Sequence, residues 1–126
     1  MDVIKDRLFE GERAEFWAQG KRYEGCTFRN GESPLKESRD ISLDGCTFGW
    51  KYPLWYAHRI LVERSTLLET ARSGIWYTRD ITIRDSLIEA PKTFRRAEGI
   101  TLERVKMPNA KETLWGCKDV NLQDVK

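Results

Sequence analysis

The feature that most constrains this chain is a repeat. Cys26-Thr27-Phe28 returns 20 residues later as Cys46-Thr47-Phe48. In the same phase follow Ser65-Thr66-Leu67, Ser86-Leu87-Ile88 and Val105-Lys106-Met107. The large apolar member falls at Phe9, Phe28, Phe48, Leu67, Ile88 and Met107, at intervals of 19, 20, 19, 21 and 19 residues. A unit this short is not a helical repeat, which usually exceeds about 30 residues, and the Leu/Asn consensus of leucine-rich repeats is missing.

Two further columns keep the same phase. Ile41-x-Leu43, Ile60-x-Val62, Ile81-x-Ile83, Ile100-x-Leu102 and Val120-x-Leu122 alternate apolar and polar, the period of a strand with one buried face. Their β-branched residues suit strands. After each comes a two-residue element, such as Asp44-Gly45 or Arg84-Asp85, which predicts a bend that turns the next apolar side chain inward. The other column pairs an apolar residue with a neighbour: Phe16-Trp17, Leu35-Lys36, Leu54-Trp55, Ile75-Trp76, Phe94-Arg95 and Leu114-Trp115. All four prolines, Pro34, Pro53, Pro91 and Pro108, fall in the segment between the Phe column and this one. Proline cannot donate to a sheet ladder, so that segment is a loop in every repeat.

Three short apolar stations per repeat predict an all-β fold: a single-stranded parallel β-helix, or β-solenoid, of about six coils of roughly 20 residues, stacked about 4.8 Å apart. Right-handed coiling is expected by analogy with parallel crossovers. The length of 126 residues is that of one domain, spanning 1–126. The hydrophobic share of only 40% suits a core one coil wide, and 14 aromatic residues argue against disorder.

Gly31-Glu32-Ser33-Pro34-Leu35-Lys36-Glu37-Ser38, Lys51-Tyr52-Pro53-Leu54-Trp55-Tyr56 and Gly74-Ile75-Trp76-Tyr77, with the Cys-Thr-Phe stations, resemble a bacterial family of unknown function. The resemblance implies a right-handed, pectin-lyase-like (pectate-lyase-like) β-helix and no particular activity. It covers essentially the whole chain and about half of the family's usual length. The sequence reaches Val125-Lys126 without a capping helix or polar terminal repeat, and solenoids normally carry caps. The expectation is therefore a fragment or engineered form, or two chains that cover each other's open ends as an end-to-end homo-oligomer.

Charge excludes some partners. Lys plus Arg is 22 and Asp plus Glu 20, a balance that does not suggest nucleic acid. No apolar run approaches the roughly 20 residues of a membrane helix. Met1–Glu10 lacks a basic start followed by an apolar run, and three cysteines do not make a disulfide framework. A reducing, cytoplasmic setting is the expectation.

The most suggestive constellation is an outward column of Trp17, Lys36, Trp55, Trp76, Arg95 and Trp115 beside Glu37, Tyr56, Tyr77 and Arg96. Strict alternation would turn this second column inward, which Glu37 and Arg96 resist, so a bend is expected near it. Stacked rings with adjacent charges suit sugar rings and uronate carboxylates. The same rings also suit plain packing ladders. Cys26 and Cys46 read as stacked buried thiols, continued by Ser65 and Ser86. The single histidine, His58, lacks a partner at zinc-ligand spacing. Asp40, Asp80 and Asp119 align at a corner but alternate with Arg59 and Gly99, which does not suggest a calcium cluster. No metal or cofactor is expected. Carbohydrate recognition without catalysis leads. A polysaccharide lyase or hydrolase using Lys36, Glu37, Arg95 and Arg96, and a scaffold that assembles through its open coil edge, are the alternatives.

Overall fold

The computed structural model covers residues 1–126 and is built of parallel strands without a helix. One face stacks seven rungs: β1 (Asp2–Lys5), β3 (Gln19–Glu24), β5 (Arg39–Asp44), β7 (His58–Glu63), β10 (Arg79–Ile88), β12 (Glu98–Lys106) and β13 (Lys118–Val125). A second face stacks β2 (Leu8–Glu10), β4 (Thr27–Arg29), β6 (Thr47–Phe48) and β8 (Thr66–Leu67) onto the later part of β10. The third face is sparse. Only β9 (Ile75–Trp76) and β11 (Phe94–Arg95) pair there, continued by an Arg95–Trp115 bridge. The fold is thus a parallel β-solenoid, with one rung more than the six members of the Phe column.

Each repeat lies on the next in register, so like side chains stack. Ile41, Ile60, Ile81, Ile100 and Val120 form one inward ladder, and Leu43, Val62, Ile83, Leu102 and Leu122 the next. Phe9, Phe28 and Phe48 stack with ring centroids 4.9 Å apart and planes within 9°. Phe28 and Phe48 are buried, as are Leu67 and Ile88 above them. Each buried ring or branched chain is worth about 1.5–3 kcal/mol of transfer free energy, which makes these ladders the main stabilising element.

The sequence predicts three stations per coil; the structure shows four left-handed turns per coil. Their columns are Arg13, Ser33, Tyr52, Ser73, Lys92; Trp17, Glu37, Tyr56, Tyr77, Arg96, Gly116; Gly20, Asp40, Arg59, Asp80, Gly99, Asp119; and Gly25, Gly45, Arg64, Asp85, Arg104, Asp124. A left-handed residue interrupts the pleat. At Leu43-Asp44-Gly45-Cys46 and at Leu35-Lys36-Glu37-Ser38 the inward side chains are therefore three residues apart, not two. The Gly45 corner is the bend that the Asp44-Gly45 elements foretell; the Glu37/Tyr56/Tyr77/Arg96 column forms a separate corner and points outward.

Cys26, Cys46, Ser65 and Ser86 are buried in one column as the repeat predicts. The Cys46 amide donates to Ser65 Oγ at 3.1 Å and the Ser65 amide to Ser86 Oγ at 3.1 Å. Each hydroxyl donates in turn to a backbone carbonyl, of Glu63 and Arg84. Burial pushes the Cys46 thiol up to about 11, so it stays protonated and inert at neutral pH. Cys117 is half-buried.

Candidate functional site

The wall predicted from the sequence is present, with one change of register. Glu15, not Phe16, occupies the inward column of Leu35 and Leu54, because the amides of Glu15, Leu35 and Leu54 donate to Pro34, Pro53 and Gly74 of the next coil. Trp17 accordingly lies in the corner column with Glu37, Tyr56, Tyr77 and Arg96 rather than with Lys36, Trp55, Trp76, Arg95 and Trp115. The Glu15 carboxylate is satisfied locally. It accepts from the Tyr23 hydroxyl at 2.6 Å and pairs with Lys21 Nζ at 3.4 Å. Burial, and then that hydrogen bond, hold the Tyr23 phenol well above its ordinary range.

The two columns stand side by side as rigid ladders. Trp55 and Trp76 stack at 5.2 Å with planes 6° apart, and Tyr56 and Tyr77 at 4.8 Å and 13°. Tyr77 meets both indoles edge-on. The indole N–H groups are spent on the framework: Trp55 Nε1 donates to the Ser73 carbonyl at 2.6 Å and Trp76 Nε1 to the Lys92 carbonyl at 2.9 Å. The flat faces are largely spent as well. Trp76 lies between Trp55 and the Arg95 guanidinium, 5.0 Å from its centroid, and Tyr52 packs 4.5 Å from Trp55. The rings with most open surface are at the two ends of the wall, Trp17 at 61% and Trp115 at 57% exposure. Lys36, Glu37 and Arg95 are half-buried along it, and Arg96 is exposed.

The other candidates resolve into framework. His58 is stacked between Arg39 and Arg79 in register; burial, then these arginines and Arg59, hold its imidazole below the ordinary value. Arg59 grips Asp40 with two hydrogen bonds, of 2.6 and 3.1 Å, rather than leaving the aspartate to bond its own turn. The same grip joins Arg64 to Asp44 and Arg104 to Asp85. Arg22 adds bonds to Glu24 and Asp44, giving a zipper of alternating charge along one face. Arg84 Nε lies 3.5 Å from Glu103 without the alignment of a hydrogen bond. No three His, Cys, Asp or Glu side chains converge as metal ligands would.

Sequence reasoning missed one surface feature. A hollow of about 320 Å³ opens among the loops, lined by Trp50, Lys51, Glu69, Thr70, Arg72 and Pro91. The signal was Trp50 itself, an aromatic residue that belongs to none of the apolar columns.

Fold and wall together define a β-solenoid with an aromatic outer face. Over residues 2–126 the chain matches the model of the family described as Protein of unknown function (DUF3737), and it belongs to that family. The match carries neither a bacterial source nor a pectate-lyase-like type. No curated protein matches. Among solved structures, two trypsin-treated variants of QnrB1, a plasmid-mediated fluoroquinolone resistance protein, are similar. One is 13% identical, covering 98% of this chain and 88% of that one at a TM-score of 0.22. The other is 10% identical, covering 99% and 90% at 0.19. Nothing about function rests on likenesses of this size.

Proposed function

We propose that this solenoid recognises a saccharide without transforming it, through the wall of Trp17, Lys36, Glu37, Trp55, Tyr56, Trp76, Tyr77, Arg95, Arg96 and Trp115. The observation that carries the reading is the pair of parallel aromatic ladders, Trp55–Trp76 and Tyr56–Tyr77, on one outer face. Exposed aromatic surface at Trp17, Tyr56 and Trp115, rimmed by polar groups, suits a binding surface. Because the central rings are packed against one another, Trp17 and Trp115 offer the open faces on which a sugar ring stacks, while the ladders between them set their spacing. The test is tryptophan-fluorescence titration of the protein with neutral and acidic polysaccharides. Saturable quenching, weakened in Trp17→Ala and Trp115→Ala, is the expected result. The absence of any saturable response across the panel contradicts the reading.

A second reading, assembly with another copy through the coil edge, is favoured by the last rung. The Phe94, Leu102, Met107, Leu114, Leu122 and Val125 side chains line a hollow of about 190 Å³ there, and Leu122 is 53% exposed. Sedimentation over a wide concentration range separates the two: a dimer abolished by Leu122→Lys supports assembly, and a monomer throughout removes it.

A further inference from the structure

The loop hollow is a feature that neither the wall nor the core accounts for. We propose that it is a subsite for an anionic sugar, a hexuronate residue of a longer saccharide, with Lys51 and Arg72 taking the carboxylate and Trp50 supplying the apolar platform. The proposal rests on the reading of this protein as saccharide-binding and names the charge class of its ligand.

Three observations converge. The first is the ring. Trp50 is 39% exposed, and no other aromatic ring packs against it, unlike the indoles of Trp55 and Trp76, which are stacked on each other. The second is charge. Arg22, Arg59, Arg64, Arg84 and Arg104 are all committed to carboxylates within 4.0 Å, whereas Lys51 and Arg72 pair with none. Lys51 Nζ instead lies over the Trp50 ring, 5.2 Å from its centroid, a cation–π contact that holds a cation beside that indole. With Glu69 as the single carboxylate in the lining, the hollow carries a net positive charge and keeps one acceptor for sugar hydroxyls. The third is position. Lys51 is followed by Tyr52, whose ring packs on Trp55, so the hollow adjoins the aromatic wall through one short segment. The walls of the hollow are also fixed. The Thr70 hydroxyl donates to the Gly49 carbonyl at 2.6 Å, and the Tyr52 amide donates to the Arg72 carbonyl at 3.2 Å, which ties the two loops across adjacent coils.

An apolar ring, two cations without a carboxylate partner and one acceptor at a shallow site match a pyranose with a carboxylate. A neutral sugar would leave Lys51 and Arg72 without partners, and a simple inorganic anion would leave the ring unused. Hydrogen bonds between ionised partners are stronger than neutral ones, so each cation should contribute up to about tenfold to affinity.

The experiment is calorimetric titration of the protein with a galacturonate oligomer and with the same oligomer fully methyl-esterified. The wild type is expected to bind the acid and to bind the ester at least tenfold more weakly. Lys51→Gln and Arg72→Gln are expected each to weaken binding of the acid about tenfold while leaving the ester unchanged, and Trp50→Ala to weaken both. All three residues are on surface loops, and circular dichroism of each variant checks the fold. Equal affinity for acid and ester, or wild-type affinity in both cation variants, overturns the subsite while saccharide recognition by the wall stands. Failure of the wild type to bind either oligomer overturns the subsite as well; the wider polysaccharide panel then decides the fate of the wall.

Discussion

A left-handed backbone costs an ordinary side chain about 1–2 kcal/mol, yet 22 non-glycine residues adopt it here. The flanking ladders hold many of them there, since the corner amide is bonded to the coil beside it, as Glu37 is to Trp55 and Tyr56 to Trp76. These corners were only partly legible in the sequence. Gly25 and Gly45 announce theirs, but Arg64 and Tyr56 carry no mark of a left-handed turn, because the constraint comes from the stack and not from the residue. His58 shows how the stack also sets a titration. Its folded value is depressed below the ordinary 6.5, so the unfolded chain takes up its proton first. Its contribution is complete above the ordinary value and is lost as pH falls from there through the folded value. Asp40, Asp44 and Asp85, lowered chiefly by hydrogen bonds from Arg59, Arg64 and Arg104, act in the same sense at lower pH, through the carboxylate range. Urea unfolding at about pH 7.5 and about pH 5.5 should show wild type losing stability on acidification, and His58→Gln losing less. An equal loss in both would remove the histidine from the account.

Among the elements, the Phe ladder was the most legible and the third face the least. Parallel stacking in register puts Phe28 on Phe48, so identity at a spacing of 20 is itself the structural signal. The third face has few paired strands, and its loops vary in length, which shifts the register of nearby residues. That is why Phe16-Trp17 looks like Leu54-Trp55 in the sequence, although Glu15 is the residue that takes the inward place. The ion-pair zipper was readable in principle, as Asp44 and Arg64 or Asp85 and Arg104 stand one coil apart, but opposite charges at that spacing are common enough to pass unnoticed. Phe48 is packed between Phe28 and Leu67 and is fully buried. Phe48→Ala should therefore lower unfolding free energy by about 3–5 kcal/mol, measured by urea denaturation. A loss under about 1 kcal/mol would mean that the ladder is not the main source of stability.

For the whole molecule, each coil contacts only its neighbours, so stability is distributed along the axis as in other solenoids. The central rungs β5 to β12 have their inward residues fully or almost fully buried, whereas β1 and β13 are mostly exposed. Amide exchange followed by mass spectrometry should show the slowest exchange over β7, β10 and β12 and the fastest over β1 and β13. Uniform protection from end to end would contradict the nearest-neighbour picture. The candidate site belongs to this scale too. Its residue types could be read in the sequence, and the way its rings close on one another could not, because face-to-face packing depends on side-chain direction as well as on phase.

The central claim is that residues one repeat apart are neighbours on adjacent rungs, and cross-linking tests it most directly. Thr47 and Thr66 are register partners on β6 and β8, and Leu87 lies one rung further along. With Cys117 replaced by serine, Thr47→Cys/Thr66→Cys should form an intramolecular disulfide under mild oxidation, found by mass spectrometry of the digested protein. Thr47→Cys/Leu87→Cys, two rungs apart, should form none. A disulfide in the second pair and not in the first would contradict the stacked coil.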